Sequence, residues 1–240
     1  MSEEISIKED TGEELPINPE TITAGQLLNI RELNTEQMEE LQHSIEANGG
    51  TVYLLIHPYY DVRLLFLRQP ELDTPEKMSW FKEILDGNDR IVKTPNGSMP
   101  VFIMEENEES TGAVSKLKEK IKTLGISKTI YLVETKRADS KPFELNWENF
   151  IKFFKKIGVK KCVVGGMFLK ILNPSSPASN VFIDPEAVRN LDDGVFFRYC
   201  VGRAIAELQK DFKIEVSKFT FPAGREEYQK FKDKRAKESE

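Results

Sequence analysis

Short apolar runs of strand character alternate with amphipathic helical patterns along most of this chain, and that alternation constrains the fold more than any other feature. Thr51–Ile56 is β-branched and apolar throughout, as a strand covered on both faces is. Residues 100–104 and 129–133 form a second and a third such run, residues 162–166 a fourth that ends in Gly165 and Gly166, and residues 213–221 alternate as a fifth. Strand followed by helix about five times over predicts an α/β protein. Its architecture is expected to be a three-layer α/β/α fold with right-handed crossovers around a mostly parallel central sheet of about five or six strands.

The helical segments carry their own punctuation. Asn34 and Thr35 open one whose apolar positions Met38, Leu41 and Ile45 recur at helical spacing, and Gly49-Gly50 stops it. Residues 75–85 place Met78, Phe81, Ile84 and Leu85 on one side, with Gly87 as the expected stop. Residues 111–124 carry Val114, Leu117, Ile121 and Leu124. The clearest pattern begins at Asn146, with Trp147, Phe150, Ile151, Phe154 and Ile157 on one stripe. A last helix over 195–212 is expected to bury Phe197, Val201, Ala204, Ile205, Leu208 and Phe212.

These elements fit a single α/β domain over residues 21–224. Residues 1–20, rich in Glu, Lys and Pro, are expected to be a disordered acidic tail, and 225–240 a charged carboxyl-terminal tail. A long insertion at about 167–194 interrupts the rhythm with Asn173-Pro174-Ser175-Ser176-Pro177 and a short helix expected over 181–191. Loops between strand and helix usually take ~2 to 6 residues, so an excursion of this length suits a lid or a binding element.

Charge narrows the partners. A net charge of -6 argues against a nucleic-acid binder, since phosphate binding needs a concentrated positive surface. No apolar run approaches the roughly 20 residues that span a bilayer, and the amino terminus lacks the apolar stretch of a signal peptide, so a cytoplasmic protein without a membrane partner is expected. A small-molecule ligand is the expected partner, with a homo-oligomer or a protein partner left open. The chain has 2 cysteines and no Cys-x-x-Cys pair, and His43 stands apart from any carboxylate cluster, so no metal is expected. Dinucleotide and P-loop glycine spacings are both missing, and no cofactor is expected.

In an open α/β sheet the site lies outside the carboxyl ends of the strands. Cys200 falls in the first turns of the last helix, where unpaired amides and the helix dipole favour a thiolate. The competing reading is a small buried hydrophobe sharing a side with Ala204 and Leu208. Cys162, inside a strand, is expected to be core. His57 ends the first strand directly before Pro58 and suits either a general base or a structural histidine bonded to the backbone. Asp61 is a candidate carboxylate or a turn residue. Lys136 and Arg137 follow the third strand, where they would lower a thiolate pKa, bind a carboxylate substrate or simply be solvated. Gly165 and Gly166 would let a ligand approach the backbone.

Taken in order, these pieces resemble the isochorismatase-like cysteine hydrolases, three-layer α/β enzymes that include nicotinamidases and other amidases. Leu54-Leu55-Ile56-His57-Pro58-Tyr59-Tyr60-Asp61 is similar to the family's first strand, with His57 where the catalytic aspartate stands. Met99-Pro100-Val101-Phe102-Ile103 is similar to its second strand. Val133 to Lys136, followed by Phe143 and the helix at Asn146, is similar to the segment with the catalytic lysine. Val163-Val164-Gly165 and then Cys200-Val201 are similar to the segment with the nucleophile. The resemblance implies cysteine-dependent hydrolysis of a small amide or related carbonyl compound, with Cys200 as nucleophile, His57 as base and Lys136 lowering the thiolate pKa. The alternative is a catalytically inactive relative serving as a binding or protein-interaction module.

Overall fold

The computed structural model describes residues 26–59, 75–94, 98–107, 112–135, 146–167, 170–172, 180–181 and 196–220. The elements in chain order are β1 (Leu27–Asn29), α1 (Thr35–Ala47), β2 (Thr51–Ile56), α2 (Pro75–Val92), β3 (Val101–Glu106), α3 (Ala113–Thr123), β4 (Ile130–Thr135), α4 (Trp147–Lys156), β5 (Lys161–Gly166), β6 (Lys170–Leu172), β7 (Asn180–Val181), β8 (Phe196–Arg198), α5 (Tyr199–Leu208) and β9 (Lys213–Thr220). A 6-stranded sheet in the order β1-β4-β3-β2-β5-β9 is parallel at every pairing.

Pleat alternation divides the strand side chains between two cores. Val52, Leu54 and Ile56 of β2, Phe102 and Met104 of β3, and Cys162 and Val164 of β5 face α1, α4 and α5. Leu55, Val101, Ile103, Ile130 and Leu132 face the other way, toward Ile91 and Val92 of α2 and Leu117 and Ile121 of α3. Helices on both faces of a parallel sheet make the three layers. Aromatic packing fills the first core: the Phe154 ring on α4 lies 5.0 Å from that of Phe102 and 6.0 Å from that of Phe212, both edge-to-face, and 4.3 Å from the tilted ring of Phe150.

Local chemistry explains most element ends. Asn34 accepts from Gln37 N at 2.9 Å while the Gln37 side chain accepts from Asn34 N at 3.0 Å, a reciprocal capping box. Asn146 caps α4 by accepting from Asn149 N at 2.8 Å.

Three expectations are corrected. The helix starting at Pro75 runs through Gly87 to Val92, because Ile91 and Val92 extend its buried stripe and burial outweighs the ~1 kcal/mol that glycine costs mid-helix. Phe197 lies in β8 rather than in the last helix, which begins at Tyr199. The edge strand β1, held by Ile130 N to Gln26 O at 2.8 Å and Ile30 N to Leu132 O at 3.0 Å, was not expected at all. Within the insertion, β6 pairs antiparallel with both β7 and β8. Val181, where a helix was expected to begin, ends β7, and the rest of that expected helix, 182–191, lies outside the described residues, as do both tails.

Below β4, Lys128 is buried and donates to Ile91 O at 3.2 Å, to Thr94 Oγ1 and to Ser98 Oγ at 3.4 Å. Burial pushes its ammonium from 10.5 down to about 8. Between those values the unfolded chain binds more protons than the folded one, so this group's contribution to stability rises with pH. Wild-type stability measured against Lys128→Met by urea unfolding is therefore expected to gain up to roughly 3 kcal/mol between about pH 7.5 and 10.5. A difference that stays flat across that range contradicts the assignment.

Candidate functional site

Strand β2 sits at the point where the strand order reverses. The chain leaves it for β3 and β4 on one side and returns to β5 and β9 on the other. The crevice of such a sheet opens above the carboxyl ends of β2 and β5. His57 occupies that position, one residue beyond Ile56, with a φ of 45° that no other described non-glycine residue shares in sign. A left-handed backbone at a bulky residue costs about 1–3 kcal/mol and persists only where its surroundings hold it.

The surroundings here are specific. His57 N donates to Met104 O at 2.9 Å, and Met167 N donates to Ile56 O at 2.9 Å, so the turn is fastened to β3 on one side and to the end of β5 on the other. Gly166, at φ 114°, lets β5 pass directly against β2. A Cβ there would stand 2.0 Å from Ile56 O. At Gly165 the near neighbours are the side chains of Ser217, 2.9 Å from where a Cβ would stand, and Leu55. The close approach that both glycines permit is thus made by the protein itself.

The His57 ring is 1% exposed and its Nδ1 lies 2.8 Å from Glu105 Oε1, itself on a residue only 5% exposed. Register accounts for the meeting: Ile56 is paired with Met104, so the next residue of each strand comes side by side. Glu105 Oε1 also accepts from Glu106 N at 3.0 Å, which fixes the carboxylate before the ring bonds to it. A carboxylate at Nδ1 favours the tautomer whose proton is on that nitrogen, and it supports the imidazolium when the ring takes up a second proton. This is the arrangement of an oriented general base.

Beyond His57 the chain folds back over the α2 and α3 side. Asn88 Nδ2 donates to Pro58 O at 3.4 Å, and Tyr59 packs against the second core. Lys120 Nζ stands 5.3 Å from the centre of the Tyr59 ring and pairs with Asp89 Oδ2 at 2.9 Å. Burial, and then the nearby Asp89 charge, push the Tyr59 phenol far above its ordinary range, so it remains a neutral hydroxyl.

No family model, curated protein or solved structure matches this chain.

Cys200 is the second residue of α5, and its side chain lies outside the described residues. The helix links β5 to its parallel neighbour β9, so its amino terminus stands at the carboxyl edge of the sheet, the edge that carries His57. Because β8 ends at Arg198, Cys200 falls within the first turn, where the dipole acts. Cys162 has the opposite setting: it is buried in the first core and burial pushes its thiol up to about 12. Lys136, Arg137 and Asp61 lie outside the described residues. Among the described residues no group of three His, Cys, Asp or Glu side chains is placed to hold a metal ion, and no helix is long and apolar enough to cross a membrane.

Glu105 was visible in the sequence only as one of several acidic residues after the second strand. What singles it out is the β2–β3 register, which no local pattern encodes. Asn88 carried a fainter signal: a polar residue on the apolar stripe of α2, directly after the glycine expected to end that helix.

Proposed function

We propose that the protein is a cysteine-dependent hydrolase of a small amide or related carbonyl compound, akin to the isochorismatase-like hydrolases. The observation that carries this reading is the buried His57–Glu105 pair above the strand-order reversal. In the proposed reaction the Cys200 thiol gives its proton to His57 Nε2, and the thiolate adds to the substrate carbonyl carbon. The tetrahedral adduct collapses with loss of the amine, which takes the proton from His57 and leaves a thioester on Cys200. Water then adds to the thioester, His57 accepts its proton, and the carboxylic acid departs as the thiol is restored. Glu105 holds the ring throughout, and Lys136, by its place after β4, would favour the thiolate.

Iodoacetamide tests the nucleophile. At pH 7 the native protein is expected to take one adduct within minutes, mapped to Cys200, while Cys162 stays unlabelled until the chain is unfolded. His57→Gln is expected to slow the native reaction at least tenfold. A folded protein whose Cys200 does not react overturns the proposal and leaves the same edge as a binding surface without thiol chemistry.

A further inference from the structure

Four neighbouring chain segments each deliver one polar residue to the same row at the carboxyl edge. Ile56 is paired with Met104, Glu105 with Glu134, and Asn29 with Leu132, so His57, Glu105, Glu134 and Arg31 follow one another across β2, β3, β4 and the turn after β1. Pleat alternation puts Glu105 and Glu134 on one face, since each lies two residues beyond a side chain of the second core, Ile103 and Leu132 respectively. Adjacent strands are about 4.8 Å apart, and two carboxylates at that spacing repel unless each has a cation to turn to.

The two turn opposite ways. Glu105 Oε1 lies 2.8 Å from His57 Nδ1, on the β2 side, whereas Glu134 Oε2 lies 3.8 Å from Arg31 Nη1, on the β1 side. The turn fixes the place of Arg31: Arg31 N donates to Asn29 Oδ1 at 3.1 Å, and Glu32 N donates to Asn29 O at 2.9 Å. With the Arg31 side chain 35% exposed and its contact long, the pair adds little to stability. Glu134, at 12%, is the more deeply placed partner, so a charge left uncompensated there acts on its neighbours with little screening. The other charges near the ring are Asp89 of α2 and Lys120 of α3, which pair with each other, and Glu106, which alternates to the opposite face.

We infer that Arg31 is a positioning residue of this site: it draws Glu134 away from Glu105, so that His57 answers to one carboxylate and remains able to accept a proton near pH 7. Without Arg31 a second anion faces the row, both carboxylates favour the imidazolium, and the ring is already protonated when a base is needed. The inference rests on the hydrolase reading for the use made of that base, while the charge on the ring is read without it.

The test is an NMR titration of the histidine rings in the full chain at low salt. The chain has 2 histidines, and His43, exposed on α1, serves as the internal reference. Arg31→Met is expected to raise the His57 midpoint by roughly 0.5 pH unit or more, since it removes a cation and uncovers an anion in the same row. His43 should hold its place. Arg31→Lys should restore most of the wild-type value. Glu134→Gln alone should lower the midpoint, and Arg31→Met combined with Glu134→Gln should bring it back toward wild type. The inference is overturned if the His57 midpoint of Arg31→Met stays within about 0.2 pH unit of wild type, if adding Glu134→Gln does not reverse the shift, or if Arg31→Met does not fold, which marks a structural arginine. Such a failure with a reactive Cys200 leaves the hydrolase reading standing. A shifted ring beside an inert Cys200 sinks that reading and leaves Arg31 setting the charge of a binding site.

Discussion

Gly166→Ala is expected to cost at least ~4 kcal/mol, a large share of the 5–15 kcal/mol that a domain of this kind has to lose. The added methyl carbon would lie 2.0 Å from Ile56 O, 2.6 Å from Ile56 N and 2.8 Å from Ile56 C. All three are backbone atoms of a central strand, so no side-chain rotation relieves the clash, and the φ of 114° penalises any L side chain independently. Gly49→Ala is the matched control. Its φ of 64° is unfavourable too, but nothing lies within 4 Å of the added carbon, and about 1 kcal/mol is expected. Urea unfolding of the two variants separates the terms: a Gly166→Ala protein within about 1 kcal/mol of Gly49→Ala would mean that β2 and β5 do not meet as described.

Glu105→Leu is expected to destabilise the protein by about 3 kcal/mol, through the loss of one member of a buried pair. The substitution takes one acceptor from both His57 Nδ1 and the Glu106 amide, because both use Glu105 Oε1. Glu105→Gln retains the volume and an acceptor for a neutral ring, and about 1 kcal/mol is expected. The order of the two is the diagnostic result. Equal stabilities for Glu105→Leu and wild type, measured by urea unfolding, would show that the pair is not closed in the folded protein.

The layers of this fold were legible because short range and long range agree. The run at Thr51–Ile56 is apolar on consecutive positions, which only a strand covered on both faces tolerates, and it became the central strand. Asn34 and Asn146 announced two helix starts by their own side-chain chemistry. Elsewhere tertiary packing outweighed local preference. Gly87 is a helix stop by propensity, yet Ile91 and Val92 beyond it have a core to enter. Leu27–Asn29 is too short to carry a period and exists because β4 offers it a ladder. Phe196–Arg198 extends into β8 because β6 is there to pair with it.

For the candidate site, the residue that ends a strand could be read, but its partner could not. His57 was recognisable as a polar side chain closing an apolar run. Its bond to Glu105 depends on the alignment of two strands separated by the whole of α2. Its left-handed backbone depends on the passage of β5 at Gly166. Neither relation leaves a trace in the local pattern.

The central claim is that one carboxyl edge joins an oriented imidazole to a thiol at a helix start, and the pH dependence of Cys200 alkylation tests it most directly. The rate of iodoacetamide labelling at Cys200 across about pH 5 to 10 is expected to rise with a midpoint below the ~8.5 of an ordinary thiol. His57→Gln should move that midpoint upward, and Glu105→Gln should move it in the same direction by less. A midpoint at or above the ordinary value, unchanged in both variants, would contradict the account.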